Sequence, residues 1–154
     1  MDKTQSFAIL AAVPEVHLIS GQDVCLNQGK VAFGSMAFEA FRKVDEMRED
    51  KAVEILIYAS DAANRPLNTE VTWHGLYIGH VQSRGGRYLK GSQFRPPSTA
   101  SEKPIWAIFW EVQDLKPLSS PIAIASLKGL ERGSNLKSRF VPESPLLIEA
   151  VRNP

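Results

Sequence analysis

The most regular alternation of apolar and polar positions runs from Glu70 to Ser83, with the sequence EVTWHGLYIGHVQS. Its aromatic and β-branched residues favour a β-strand. Because the side chains of a strand point alternately to opposite faces, the odd-numbered residues from Val71 to Val81 share one face. The two glycines on that face are typical of a bulge, a bend or a close contact. We therefore expect a curved strand here, at the centre of the fold.

Several shorter apolar runs, separated by turn residues, also predict strands. Five of them are residues 7–13, 31–33, 52–60, 105–115 and 138–141. Two smaller candidates, residues 16–19 and 24–26, flank a predicted turn from Ser20 to Asp23. Pro117 and Pro121 are expected to end the 105–115 strand.

Three segments have helical spacing instead. Between Met36 and Asp50 the apolar residues recur every three or four positions, which predicts a helix with one buried face. Residues 123–130 predict a short helix. Ser144, followed by Pro145 in the first helical position, predicts a last helix over residues 146–151. The whole pattern indicates an α+β fold.

Composition narrows the class of protein. A chain of 154 residues, 44% apolar and 23% charged, matches one soluble domain with an ordinary core. No run approaches the roughly 18 to 20 apolar residues of a membrane helix. The single cysteine, Cys25, excludes an internal disulfide and favours a cytoplasmic location.

Charge is unevenly distributed along the chain. Residues 1–83 hold seven Lys and Arg against eleven Asp and Glu, whereas residues 84–154 hold eleven against six. The basic half begins with a Gly-, Pro- and Ser-rich segment, residues 84–104, that has no periodicity. Long irregular segments of this kind are usually functional or disordered. The basic residues therefore either contact phosphates or simply solvate a loop.

Catalytic chemistry has little support in the sequence. His74 and His80 share a strand face but lie roughly 20 Å apart, too far to bind one metal ion. The acidic residues between Asp45 and Asp50 are expected on the solvent side of their helix. We predict no catalytic residue, no metal site and no cofactor. The three tryptophans either stack on bases or fill the core.

Five segments carry a family resemblance through their order and spacing. They are ILIYAS at 55–60, GLYIGHV at 75–81, WAIFWEVQDLKPL at 106–118, PIAIASLKGL at 121–130 and SRFVPESPL at 138–146. Over about residues 52–151 the chain resembles the PUA-like superfamily, especially its EVE and YTH domains. The resemblance implies a single domain over residues 1–154, built as a mixed, strongly bent β barrel with flanking helices.

The resemblance also implies a pocket that accepts a nucleobase, often a modified one. Such a pocket needs aromatic surfaces and groups that bond the base edge. The candidate ligand-binding residues are Ser60, Trp73, Trp106, Trp110, Ser138 and Arg139. The candidate phosphate-binding residues are Arg84, Arg87, Lys90 and Arg95.

The expected function is binding of RNA, or of single-stranded or modified DNA, without catalysis. Two alternatives stay open at this point. One is a protein-interaction module that docks a partner through exposed aromatic residues and the run FRPPS. The other is a small enzyme that acts on a nucleotide, as some ASCH-like barrels do.

Overall fold

The protein has an α+β fold, and its described residues form two α-helices and one six-stranded mixed sheet. A computed structural model describes residues 2–61, 69–102, 105–131, 133–136 and 144–151. The strands are β1 (Ala8–Pro14), β2 (Val31–Ser35), β3 (Val53–Ser60), β4 (Glu70–Gln82), β5 (Ile108–Ala123) and β6 (Leu146–Ile148). The helices are α1 (Glu15–Gln28) and α2 (Phe38–Met47). The strand predicted at 138–141 lies outside the described residues.

The predicted central strand is confirmed. The sheet order is β2-β5-β4-β3-β1-β6, so β4 lies inside the sheet between two antiparallel neighbours. β1 and β3 pair in parallel, and the other paired strands of the described residues are antiparallel. From Val71 to Gly79 the odd-numbered residues of β4 are buried, while the even-numbered ones are half-buried.

The sheet is open, so the expected closed barrel is not supported. Closure would require the two edge strands, β2 and β6, to pair, and they do not pair in the described part of the chain. The edge strand β2 is instead covered by the segment that follows β4, because Arg95 donates a hydrogen bond to the carbonyl of Ala32 at 2.7 Å. On the other side, β6 is only three residues long and pairs with β1.

Helix α1 corrects the prediction of two short strands around a turn. Its buried side contains Leu18, Gly21 and Cys25, spaced three and four residues apart. Gly21 suggested a turn, but it lets the helix approach β2, since a Cβ there would lie 3.1 Å from the ring of Phe33. The helix ends at Gly29, whose φ of 87° and hydrogen bond to the Cys25 carbonyl form a left-handed C-cap.

Strand β5 and the C-terminal segment give two further corrections. β5 continues through both prolines to Ala123, because beyond Val112 it has a strand neighbour on one side only and an edge tolerates proline. The helix predicted at 123–130 is reduced to a 3-10 turn, Ile124–Ser126. Residues 146–148 form a strand rather than a helix, because they pair with β1.

The sheet is covered on both faces. On one face α1 and α2 bury a cluster that includes Leu18, Phe41, Ile55, Tyr77 and Trp110. On the other face, the described residues that follow β5 pack on Leu56 and Tyr58 at one end of the sheet, and residues 84–102 pack at the other end. Among the described residues, no helix has the length and apolarity needed to cross a membrane.

Candidate functional site

The chain leaves β4 through a tight turn with an arginine on each side. Arg84 and Arg87 exchange two backbone hydrogen bonds of 3.1 Å, and the residues between them, Gly85 and Gly86, have φ values of 58° and 82°. Positive φ at both central positions is the signature of a type I′ turn, which glycine adopts without strain. Both arginines are exposed and make no ion pair within the described residues. We call residues 84–87 the RGGR turn.

Trp106 lies beside the RGGR turn. The Ser83 hydroxyl donates to the Trp106 carbonyl at 2.5 Å, and the Ser83 N–H donates to the next carbonyl at 3.1 Å. The indole packs against Gly34, where a Cβ would lie only 2.3 Å from the ring. Trp106 is half-buried, and its neighbour Ile105 is 72% exposed. Two exposed guanidinium groups and a partly exposed indole therefore share one end of the sheet.

Lys90 does not extend into solvent as a free cation. Its Nζ lies 3.3 and 3.2 Å from the two carboxylate oxygens of Glu111, a buried residue of β5. Lys30 lies 3.2 Å from the same carboxylate, and the Tyr88 hydroxyl donates to it at 2.5 Å. Burial by itself would raise the pKa of Glu111, but these hydrogen bonds outweigh it and hold the pKa below its usual value.

Arg95 also anchors the segment to the sheet. Its guanidinium bonds the Ala32 carbonyl and lies 4.9 Å from the ring centre of Phe109. Burial lowers the pKa of Arg95 from its usual value. Of the four predicted phosphate-binding residues, two are thus exposed at the RGGR turn and two fasten that turn to the sheet.

The other described candidates for the nucleobase pocket lie in the core or at the far end of the sheet. Trp110 packs between Phe33 and Phe41, with ring centres 5.0 and 5.6 Å away. Trp73 is 7% exposed and lies roughly 20 Å from Trp110 along β4.

Ser60 ends β3 beyond Trp73, at the opposite end of β4 from Trp106. Its hydroxyl is buried and has no hydrogen-bond partner among the described residues. The four described pocket candidates therefore do not converge on one cavity. Ser138 and Arg139 lie outside the described residues.

A polar cluster between α2 and β4 was not expected from the sequence. Asp45 accepts a hydrogen bond from the Tyr77 hydroxyl at 2.9 Å and contacts His80 Nδ1 at 2.7 Å and Arg48 Nε at 2.7 Å. Tyr77 and His80 both reach α2 because Gly79, with φ of 140°, lies at a register shift that interrupts the alternation of β4. The signal available in the sequence was this glycine inside a strand.

The surroundings of Asp45 and Tyr77 shift the pKa values of these two side chains in opposite directions. Burial acts to raise the pKa of Asp45, but hydrogen bonds from His80, Arg48 and Tyr77 outweigh it, so the pKa lies below its usual value. Burial, together with the Asp45 charge, raises the pKa of Tyr77. Tyr77 therefore acts as a hydrogen-bond donor, and Asp45 as a charged acceptor that holds α2 on the sheet.

In the described ranges, no group of three His, Cys, Asp or Glu side chains is placed so that it could bind a metal ion. Comparison of the chain with models of protein families, with curated proteins and with solved structures found no match.

Proposed function

We propose that the protein binds single-stranded nucleic acid through the RGGR turn and Trp106. The observation that carries the proposal is the position of two exposed arginines on a tight turn whose preceding residue, Ser83, bonds the backbone of the half-buried Trp106. Arginine binds phosphate oxygens, and an aromatic face stacks on a base with about 1 to 3 kcal/mol. The proposed surface supplies both interactions at one end of the sheet.

The turn is suited to this role because its backbone is constrained. A type I′ turn fixes the distance between its flanking residues, and Glu111 and Arg95 hold the segment behind it against β5 and β2. Less conformational entropy is then lost when a ligand binds. A single strand fits better than a duplex, because its bases are free to stack on a side chain.

Membership of the PUA-like superfamily and recognition of a modified base stay predictions of the sequence resemblance. The proposed surface does not depend on them. It uses Trp106 and the RGGR turn, and leaves Trp73 and Trp110 to the core.

The test is a fluorescence anisotropy titration with labelled single-stranded RNA and DNA across a range of salt concentrations. Arg84→Ala/Arg87→Ala should weaken binding and reduce the slope of log affinity against log salt by about 1.4, because two phosphate contacts are lost. Trp106→Leu should weaken binding roughly tenfold and leave that slope unchanged, because it removes the stacking surface but no charge. Circular dichroism checks that each variant is folded.

A matched control removes two exposed cations elsewhere, in Lys116→Ala/Lys128→Ala. If this variant loses as much affinity as the double arginine variant, binding reflects overall charge and the proposed surface is wrong. If folded wild-type protein binds no oligonucleotide at low salt, the proposal is also wrong, and the exposed residues of this end point to a protein partner.

A further inference from the structure

A hydrogen-bonded line of three side chains joins α1 to the second half of the basic segment. The Ser98 hydroxyl lies 2.7 Å from Nδ1 of His17, and Nε2 of the same imidazole lies 2.5 Å from a carboxylate oxygen of Glu102. Ser98 belongs to a 3-10 turn, Pro97–Thr99, and His17 to the first turn of α1. Residues more than 80 positions apart are thus brought into one line by the fold.

The hydrogen-bond partners of His17 select the tautomer of its neutral imidazole. A carboxylate only accepts hydrogen bonds, so the neutral imidazole carries its proton on Nε2, toward Glu102. Nδ1 then presents its lone pair to the Ser98 hydroxyl, which donates. A hydroxyl bonded to a basic nitrogen, with a carboxylate on the opposite nitrogen, is the arrangement that activates a serine nucleophile.

The surroundings allow a substrate to reach Ser98. Ser98 is half-buried, while the His17 side chain is only 12% exposed and so is held in place. The Ser98 N–H donates to the Ser20 hydroxyl at 3.3 Å, and that hydroxyl donates to no described acceptor. Its proton is therefore available to an oxyanion that forms at a carbonyl bound to Ser98.

Charge and shape select the class of substrate. Glu102 places negative charge on the far side of His17 from the serine, which disfavours phosphates and carboxylates. Val16, one helical turn before Ser20, is 52% exposed and offers an apolar surface. A small uncharged ester matches these features.

We propose that Ser98, with His17 as general base and Glu102 as the group that orients it, is a nucleophile toward small neutral acyl esters. The Ser98 oxygen forms a bond to the acyl carbon while its proton passes to Nδ1 of His17. The bond from the acyl carbon to the alkoxy oxygen breaks, and the alcohol leaves with that proton. Water then attacks the acyl-serine, releases the carboxylic acid and restores the serine. This activity does not depend on nucleic-acid binding.

The first test is covalent labelling of the full chain with a fluorophosphonate, which forms a serine–phosphorus bond and releases fluoride. Mass spectrometry should find a single adduct, on Ser98, and Ser98→Ala should abolish it. His17→Gln and Glu102→Gln should each slow labelling at least about tenfold, because base or orientation is lost. Ser92→Ala is the matched control, since Ser92 opens the neighbouring 3-10 turn, is exposed and has no described histidine partner. Labelling of this control should be unchanged.

A second measurement guards against variants that disturb the turn. The thiol introduced by Ser98→Cys should react with iodoacetamide at pH 7 at least about tenfold faster than the thiol introduced by Ser92→Cys, because His17 takes up its proton. Adding His17→Gln should remove the difference. Equal rates for the two thiols, or no adduct on Ser98 in folded wild-type protein, would overturn the proposal.

Discussion

Two carboxylates fasten outer elements to the same sheet, and they do so with different partners. Asp45 holds α2 on β4 through Tyr77 and His80. Glu111 holds residues 84–102 on β5 through Tyr88 and Lys90, and it also pairs with Lys30, which precedes β2. Asp45 therefore lies on the helix and bonds side chains of the sheet, whereas Glu111 lies in the sheet and bonds side chains from the segments around it.

The difference matters for the proposed surface. The RGGR turn lies on the part of the chain that Glu111 holds, three residues before Lys90. The Asp45 cluster is more local, since Arg48 is the C-cap residue of α2, three positions after Asp45. We therefore expect changes at Glu111 to affect both stability and nucleic-acid binding, and changes around Asp45 to affect mainly stability.

The largest effect is expected from Glu111→Gln. This change leaves Lys30 and Lys90 without a charged partner and should lower the free energy of unfolding by about 2 to 3 kcal/mol. The loss is less than for a fully buried pair, because the Lys90 side chain is 46% exposed. Urea unfolding followed by circular dichroism measures it.

The matched control for that variant is Glu131→Gln, which removes an ion pair to Lys43 whose glutamate side chain is 80% exposed. We expect no measurable change in stability there. Equal losses in the two variants would show that burial of Glu111 contributes nothing. Unchanged nucleic-acid binding by Glu111→Gln would separate the anchor from the proposed surface.

Much of the fold could be predicted from side-chain periodicity, and the exceptions have specific causes. β1, β3, β4 and α2 have regular patterns and are confirmed. Helix α1 was missed because Gly21, Ser20 and Asp23 are typical turn residues, although Gly21 serves close packing against Phe33. β6 was missed because its conformation is set by pairing with β1, a contact that is distant in sequence.

The candidate surface was predictable only in part. Composition singled out the basic segment and the tryptophans, but it could not say which cations are exposed or which indole is half-buried. The sequence could have predicted that Glu111 is paired, because a charge within the apolar run IFWEV needs a partner if the strand is buried. Its partners in turn remove Lys90 from the set of free cations.

A smaller effect is expected from Gly79→Ala, which tests the Asp45 side of the comparison. Gly79 has φ of 140°, which an L side chain rarely adopts, and an added Cβ would lie 3.3 Å from the Arg48 guanidinium. The variant should lose about 1 to 2 kcal/mol of unfolding free energy. NMR of the ring nitrogens should show that His80 has lost its contact with Asp45.

Gly129→Ala is the control for backbone strain, since the nearest atom to its Cβ would be 3.9 Å away and its φ is not in the strained range. This variant should keep wild-type stability. If Gly79→Ala is equally stable, the bulge is not what directs Tyr77 and His80 toward α2.

The smallest effect, and the one that compares the two carboxylates directly, is the dependence of stability on pH. The pKa values of Asp45 and Glu111 both lie below their ordinary values of 3.8 and 4.5. The unfolded chain therefore binds more protons than the folded one in this range, and the stabilisation is present above about pH 5 and lost as pH falls through the folded pKa values.

Asp45→Asn and Glu111→Gln each remove one titrating group, so each should lose less stability than wild type between about pH 5 and pH 3. The pH titration measures only the part of each contribution that depends on charge. We therefore expect the pH-dependent change in unfolding free energy to be smaller than the losses at neutral pH. Urea unfolding at several pH values measures the slopes, and a Glu111→Gln profile parallel to that of wild type would show that Lys30, Lys90 and Tyr88 do not act through the charge of Glu111.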